Sequence, residues 1–534
     1  MLHVDKRCCG LKTKVSDIKQ GLPRITRTES GGADRLYPRV TIDVLPDNVL
    51  LDTFEFYLGK DNPDEIDEFD GHDYDGWQTL VHVCRRWRCI VFASPRSLDL
   101  KLYCTRERSA NSEMLTIWPA LPIVIDAQGI QSKEDVANIG VALRQHDRVC
   151  KINYCNMKFD DFMLKEFAVI DEPFPALTSL VLASAYAQNV PVLPDSFLGR
   201  SAPHLRLLGL YGIPYPSIGK LLSSATSIVR FALWRVPHSG YIAPETIVPL
   251  LSTFSGLESL TLGIRYPRSR IHRASRHPPP LTRVVFPSLT FLELGGEIEY
   301  LEDILSQIEA PMLTEIYFSI FNQVVFDTPL LGHFILRSDT FMTSHTACVD
   351  FRRDLVGVTL LGQEMADNNK KAIWLNISCK ALDWQLSAAT QVLNSFVSYI
   401  PTLESLEIEI DHRNWQGEIE AIQWRECLHL FASVKKMTLG HEDLVRLVLP
   451  VVQELSAETG TEVLPALQDL FLRMYSWQPS SGNSGSIKKA IERFITTRQR
   501  YDHPVTVHYR DTKSGGWVYW EVGNRPNALC FPSD

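Results

Sequence analysis

The sequence predicts a mixed α/β chain: a small all-helical unit, then an irregular solenoid of short parallel strands with helical return legs. Three observations carry this reading. Helical apolar spacing is concentrated near the start, an apolar triplet recurs along most of the remainder, and the composition is ordinarily globular. The chain has 534 residues, 45% hydrophobic and 22% charged, which is enough for two to four domains or one long array.

The recurring triplet is L-x-x-L-x-L with apolar substitutes. It fits Val149/Ile152/Tyr154, Leu177/Leu180/Leu182, Leu205/Leu208/Leu210, Ile228/Phe231/Leu233, Leu257/Leu260/Leu262, Leu289/Leu292/Leu294 and Leu313/Ile316/Phe318. It resumes at Leu403/Leu406/Ile408, Val434/Met437/Leu439 and Leu467/Leu470/Leu472. Within each run, first positions lie 23 to 33 residues apart, in or slightly above the period of leucine-rich repeats. One such unit cannot cover its own apolar face, so neighbours must stack to make a continuous core. Helix-compatible return legs are expected at Ile218 to Ser224, Pro244 to Phe254, Tyr300 to Ile308 and Ala389 to Tyr399. The 90 residues between 313 and 403 could hold about three more units. They contain strand-like segments at Leu331 to Leu336 and Ala372 to Ser378, and are expected to continue the array irregularly.

Residues 1–38 read as a disordered leader, with few large apolar residues and the string Glu29-Ser30-Gly31-Gly32. The adjacent Cys8 and Cys9 have no amphipathic or membrane segment beside them to support lipidation. A compact unit is expected over 39–105. It opens with VLPDNVLLDTFEFYL, where Val49, Leu50, Thr53, Phe54 and Tyr57 recur at helical spacing. An acidic insert, 60–76, carries Asp61, Asp64, Glu65, Asp67, Glu68, Asp70, Asp73 and Asp75. In WQTLVHVCRRWRCIVFASP, the positions Trp77, Leu80, Val81, Cys84, Trp87 and Val91 form one helical stripe, widened by Val83 and Ile90. Arg85, Arg86 and Arg88 lie off that stripe, so Cys84 reads as a packed thiol rather than a redox centre. Pro95 ends the helix, and Leu98 to Cys104 alternate like a strand. The array is expected over 106–500, with a strand or hairpin and a tail over 501–534.

A net charge of −9 disfavours a polyanion partner, so nucleic acid is not expected. No apolar run reaches about 18 residues, and the first residues lack a secretory apolar core, which points to cytosol or nucleus and to no membrane partner. The 11 cysteines follow no short-spaced framework and are expected to be reduced, which leaves the sequon Asn376-Ile377-Ser378 idle. Phosphate-loop, dinucleotide, zinc-protease and nucleophile-elbow motifs are absent. His441-Glu442 has no second histidine at the zinc spacing. A calcium loop starting at Asp73 would place Trp77 and Cys84 where ligands are needed. Cys150 and Cys155 should point to opposite faces of their strand, so they make no metal pair. No cofactor or metal is expected, and the chain is not read as an enzyme. A catalytic site hidden at 320–400, or around Trp517 and Trp520, is the competing reading from another class. The basic, proline-rich segment from Pro267 to Pro280 reads as an inserted loop, with nuclear targeting, an anionic partner or phosphorylation at Ser269 or Ser275 as alternatives.

The order VLP-x-x-V-L-L-x-x-F, a spacer, L-V-x-V-C-R-R-W-R-x-I-V and S-P-R-x-L-x-L-x-L, over residues 43 to 102, resembles the F-box motif. Followed by repeats, it is similar to F-box proteins with C-terminal leucine-rich repeats. WQTLVHVCRRWR, LPDSFLG, PHSGYI and DWQLS look like phrases of large fungal F-box families. Two features depart from the pattern. The acidic insert lengthens the link between the first helices, and Ala185, Ile213, Val236 and Arg265 stand where a repeat would place Asn or Cys, so an irregular solenoid without the usual turn ladder is expected. The resemblance implies a substrate-recognition adaptor of a Skp/cullin/F-box ubiquitin ligase. Leu45, Pro46, Val49, Leu50, Phe54, Leu80, Val83, Cys84, Trp87 and Ile90 would dock on the Skp-type subunit or pack the helices, and the repeats would hold an unknown protein target. An F-box interaction scaffold without a role in degradation is the alternative.

Overall fold

A computed structural model of the chain describes residues 42–58, 76–104, 120–127, 139–156, 170–184, 190, 192–264, 282–321, 326, 328–337, 344–362, 372–379, 382–396, 400–411, 421–453, 463–473, 484–510 and 517–519. The leader 1–38, most of the acidic insert and the basic segment 267–280 lie outside these residues. The chain divides into two compact units, one up to Leu98 and one from Asp99 onward.

The first unit is helical among its described residues. A short 3-10 turn, Ile42–Val44, leads into α1, Asp47–Leu58. Asp47 sits in the first turn of α1, where a negative charge complements the helix dipole. Leu50 and Phe54, one turn apart, are buried. The single helix expected over Trp77 to Val91 is two helices, α2 at Gly76–Val83 and α3 at Arg85–Ala93. Between them Cys84 is extended, at φ −156° and ψ 171°, and its sulfur accepts the Trp87 N–H at 3.5 Å. Arg88 Nε donates to the Val81 carbonyl at 3.0 Å, satisfying one acceptor at the end of α2. Apolar spacing of three and four residues survives a break of one residue, which is why the stripe reads as continuous. Trp77, Leu80, Val81, Ile90 and Val91 close the core with Leu50 and Phe54.

Among its described residues the second unit is built on a sheet of 17 strands. Its first half is β1 (Leu102–Cys104), β2 (Ile123–Asp126), β3 (Val149–Asn156), β4 (Ser179–Ser184), β5 (Leu207–Tyr211), β6 (Arg230–Val236), β7 (Ser259–Ile264), β9 (Phe291–Gly296) and β11 (Glu315–Ile320), each parallel to the next. Between these, β8 (Val284–Val285) and β10 (Ile308–Glu309) form a separate parallel pair. The strand expected from Leu98 begins only at Leu102, because Asp99 turns the chain at φ 45°.

Every residue of the ten apolar triplets is buried. The middle members stand in register across the strands: Ile152, Leu180, Leu208, Phe231, Leu260, Leu292 and Ile316 face one another in succession. A slip of one residue would turn this apolar row outward, so burial itself fixes the pairing. Return legs include helices at Ile218–Leu222, Pro244–Leu251 and Ile298–Gln307, as the spacing predicts. Without an asparagine ladder, main-chain bonds close the strand ends: Gly212 N–H donates to Trp234 O at 2.7 Å and Phe321 N–H to Gly296 O at 3.0 Å. Gly212 is held at φ 73°, and a Cβ there would meet the Ser184 carbonyl at 2.8 Å.

The region between the two runs of triplets corrects the sequence reading. Leu331 to Leu336 are not a strand but part of a helix, Pro329–Leu336. Its apolar run is short enough to suit either structure, and buried Glu302 decides by accepting the Leu330 N–H at 2.8 Å and the Leu331 N–H at 3.3 Å at the helix start. In place of further parallel repeats, β12 (Ser344–Arg352), β13 (Leu355–Gly362) and β14 (Ala372–Ser378) form an antiparallel meander. β14 returns to lie parallel to β11, while β12 receives β15 (Ser405–Ile410) in parallel. The sheet is thus continuous, with β13 running against it. A helix, Leu382–Asn394, joins β14 to β15. The array resumes with β16 (Lys436–Leu439), β17 (Asp469–Leu472) and β18 (Thr506–Arg510), and β19 (Trp517–Tyr519) pairs antiparallel to β18.

Leu262→Ala should lower unfolding free energy by about 2–5 kcal/mol, because both the transferred surface and a cavity are lost. Thr438→Ser, on the opposite side of a strand and half-buried, should change it by no more than about 0.5 kcal/mol. Urea denaturation of the two variants checks the contrast.

Candidate functional site

Two surfaces hold side chains that the fold does not consume. The first lies on the helical unit. Of the ten residues nominated from sequence, Leu50, Phe54, Leu80 and Ile90 belong to its buried core. Trp87 is half-buried, with its ring centroid 4.7 Å from that of Phe54. Cys84 is half-buried as the helix cap described above, not a fully packed thiol. Leu45, Pro46, Val49 and Val83 are exposed.

Sequence reasoning did not nominate four more exposed residues of this unit, Ile42, Val44, Phe56 and Tyr57, with Phe56 at 90% exposure, and Tyr57 faces outward although it shares the helical spacing of Leu50 and Phe54. Val49 and Phe56 are seven residues apart and share the outward stripe of α1, directly after Val44 and Leu45. The available signal was that α1 is apolar beyond the width of one inward stripe. Seven of the thirteen large exposed hydrophobics among the described residues lie between Ile42 and Val83. Exposed large hydrophobics are thus concentrated on this unit, which makes it the candidate docking surface. Its entry is fixed by Arg86, which donates to the Leu45 carbonyl at 2.6 Å and to the Asp47 carboxylate at 2.6 and 3.0 Å. The cation at the start of α3 therefore clamps the start of α1.

The second surface is the open face of the sheet, on the side opposite the buried triplets. Thr261, Glu293, Tyr317 and Trp374 stand side by side on β7, β9, β11 and β14. The rings of Tyr317 and Trp374 stack 4.0 Å apart at 6°, and Phe291 lies 5.3 Å from Tyr317. Trp234 reaches across two strands: a Cβ on Gly263 or Gly295 would fall 2.3 or 2.6 Å from its indole. The absence of side chains there lets that ring lie down on the sheet. Farther along, Phe471 and His508 stack at 4.4 Å, and His508 Nε2 lies 3.0 Å from Asp469 Oδ1. Trp517 meets Phe471 edge-on at 5.0 Å, while Trp520 lies outside the described residues.

Four of the described thiols are held away from ionisation. Burial, then Glu407, Glu409 and Asp350, pushes Cys348 up to about 12. Burial raises Cys150, Cys379 and Cys427 as well. Each is held further from the thiolate that nucleophilic chemistry needs. Cys150 and Cys155 each have a local bond, to the Ile123 carbonyl at 3.3 Å and to Asn153 Oδ1 at 3.4 Å. His441 Nδ1 accepts the Asp443 N–H at 3.1 Å beside the helix Glu442–Gln453. Among the described residues, no group of three His, Cys, Asp or Glu side chains could hold a metal ion, and no helix is long and apolar enough to cross a membrane.

If Cys84 acts as a cap, Cys84→Ser should keep helical content and melting temperature, since a hydroxyl caps well. Cys84→Ala should cost about 1 kcal/mol. Circular dichroism melts of both variants distinguish a cap from an inert thiol, which would leave the two equal.

No protein-family model matches the chain, and no curated protein does. Among solved structures it is similar to the leucine-rich repeat-containing protein LegL7 from Legionella pneumophila, with 14% identity and a TM-score of 0.25, over 62% of this chain and 93% of that one.

Proposed function

We propose that this protein is an adaptor: its helical unit docks on a Skp-type subunit, and through it a cullin, while the repeat array holds a protein target for ubiquitin transfer. The observation that carries the reading is the concentration of exposed apolar side chains on the helical unit, beside a core that other residues already fill. Residues 43 to 102 resemble the F-box motif, and that resemblance supplies the identity of the partner. Leu45, Pro46, Val49 and Val83 are the nominated residues left free to dock, joined by Ile42, Val44 and Phe56. Burying a few such side chains contributes roughly 1.5–3 kcal/mol each, and a small cluster of anchors dominates an interface.

No catalytic residue is needed in this scheme. Holding a target near the conjugating enzyme raises the effective concentration of its lysines, and bond-making belongs to the partners. A scaffold that uses the same docking surface without leading to degradation is the second reading, favoured by the same exposed residues.

Leu45→Asp combined with Val83→Asp replaces two exposed side chains and should leave the melting temperature nearly unchanged, while abolishing co-purification with the Skp-type subunit. Retained co-purification would overturn the docking assignment. Proteasome inhibition then separates the two readings: bound targets accumulate if the chain is a ligase adaptor and stay level if it is a scaffold.

A further inference from the structure

We propose that the open face of the sheet around Glu293, Trp234 and the stacked Tyr317 and Trp374 receives an arginine side chain from an extended segment of the bound protein. The inference rests on the reading that the repeats hold a protein target, and it names the chemistry of one contact.

Glu293 is a half-buried carboxylate on the middle of β9. Its one hydrogen bond among the described residues is accepted from Thr261 Oγ1 at 3.3 Å, a neutral donor. Burial raises its pKa, and the Thr261 hydroxyl only partly opposes this. Arg230, on the same face, belongs to β6, two strands away, about 10 Å at ordinary strand spacing. Among the described residues no cation is bonded to Glu293 to offset the hydration that an ionised carboxylate loses there.

Aromatic faces surround it. Tyr317 is its direct cross-strand neighbour, and Trp374 stacks on Tyr317. Gly295 lies two residues beyond Glu293, about 7 Å along the strand, and the Trp234 ring covers it. All three rings keep exposed area. Burial, then Glu315 and Glu293, pushes Tyr317 up to about 12, so its hydroxyl stays neutral and adds no second negative charge beside Glu293.

Charge complementarity therefore asks for a cation, and the rings ask for a flat one. A guanidinium stacks on an aromatic face, is weakly hydrated and can offer two parallel N–H donors to one carboxylate. An ammonium is more strongly hydrated and loses more on entering a half-buried site. The attraction of a cation to a ring face adds to the ion pair.

The test uses the full-length chain and a fluorescein-labelled peptide, acetyl-Ser-Arg-Ser-Arg-Ser-Arg-Ser-amide, followed by fluorescence anisotropy. We expect saturable binding that weakens at least tenfold in Glu293→Gln and in Gly295→Ala, which keeps the indole but forces it off the strand. The lysine version of the peptide should bind several-fold more weakly. Glu293→Gln should melt no lower than wild type, because the raised pKa means that folding disfavours the charge; this separates lost recognition from lost structure. Glu409→Gln, on β15, serves as a distant control. Equal binding of the lysine peptide, or an equal loss in Glu409→Gln, would mean general attraction to an acidic chain and would overturn the proposal. Binding seen only after the arginines of 267–280 are replaced by serine would overturn it in favour of an occupant from the same chain. A target that stays bound through Glu293→Gln sinks this inference but not the adaptor reading, whereas loss of the Skp-type subunit in the Leu45 and Val83 variant bears on the adaptor reading alone.

Discussion

The second unit depends on one constraint: an apolar triplet carried by a strand and its entry must have a neighbour in register to cover it. Val149, Ile152 and Tyr154 cannot be buried by β3 alone, and the same holds for each later triplet. Parallel stacking answers this because identical spacing on adjacent strands places like positions together. The result is an apolar row from Ile152 to Ile316 in which each member shields the next. Stability in such an array accumulates from nearest-neighbour contacts.

The same constraint leaves the opposite face of the sheet free. Side chains there do not have to satisfy a core, so glycines, rings and carboxylates can vary without breaking the register. Gly263 and Gly295 illustrate the coupling between the faces: they would weaken an isolated strand, yet next to buried Leu262 and Leu294 the backbone is held in place and the missing side chains make room for Trp234. The antiparallel meander of β12, β13 and β14 shows how tolerant the arrangement is. Val349, Val358 and Leu375 remain buried although β13 runs in reverse, because side-chain alternation has the same period in both directions.

The helical unit solves a different problem with fewer residues. Three short helices have more apolar surface than a small core can absorb. Leu50, Phe54, Trp77 and Val81 fill the inside, and Val44, Leu45, Val49 and Phe56 are left outside. The charged group that holds this arrangement is Arg86, whose bonds to Asp47 and Leu45 fix where the exposed side chains begin. The buried core and the exposed apolar side chains thus fall to different residues of the same segment.

The repeats were legible in the sequence because their signal is periodic and each triplet is buried by a copy of itself. The helical spacing of residues 47 to 57 was legible for the same reason, and so were most return legs. The antiparallel turn of the sheet at β12 to β14 was not, nor were three further features. The break at Cys84 is invisible to periodicity, since one extended residue preserves the stripe while redirecting the helix. The helix at Pro329–Leu336 follows from the carboxylate of Glu302, which is 27 residues before the helix starts. Which of the ten docking candidates face outward depends on how α1 packs on α2 and α3, a matter of distance between segments rather than spacing within one. By itself the sequence determined what can be buried, because burial follows from local pattern. Only the tertiary structure decided what is left exposed, because exposure is set by which neighbours arrive to cover a side chain.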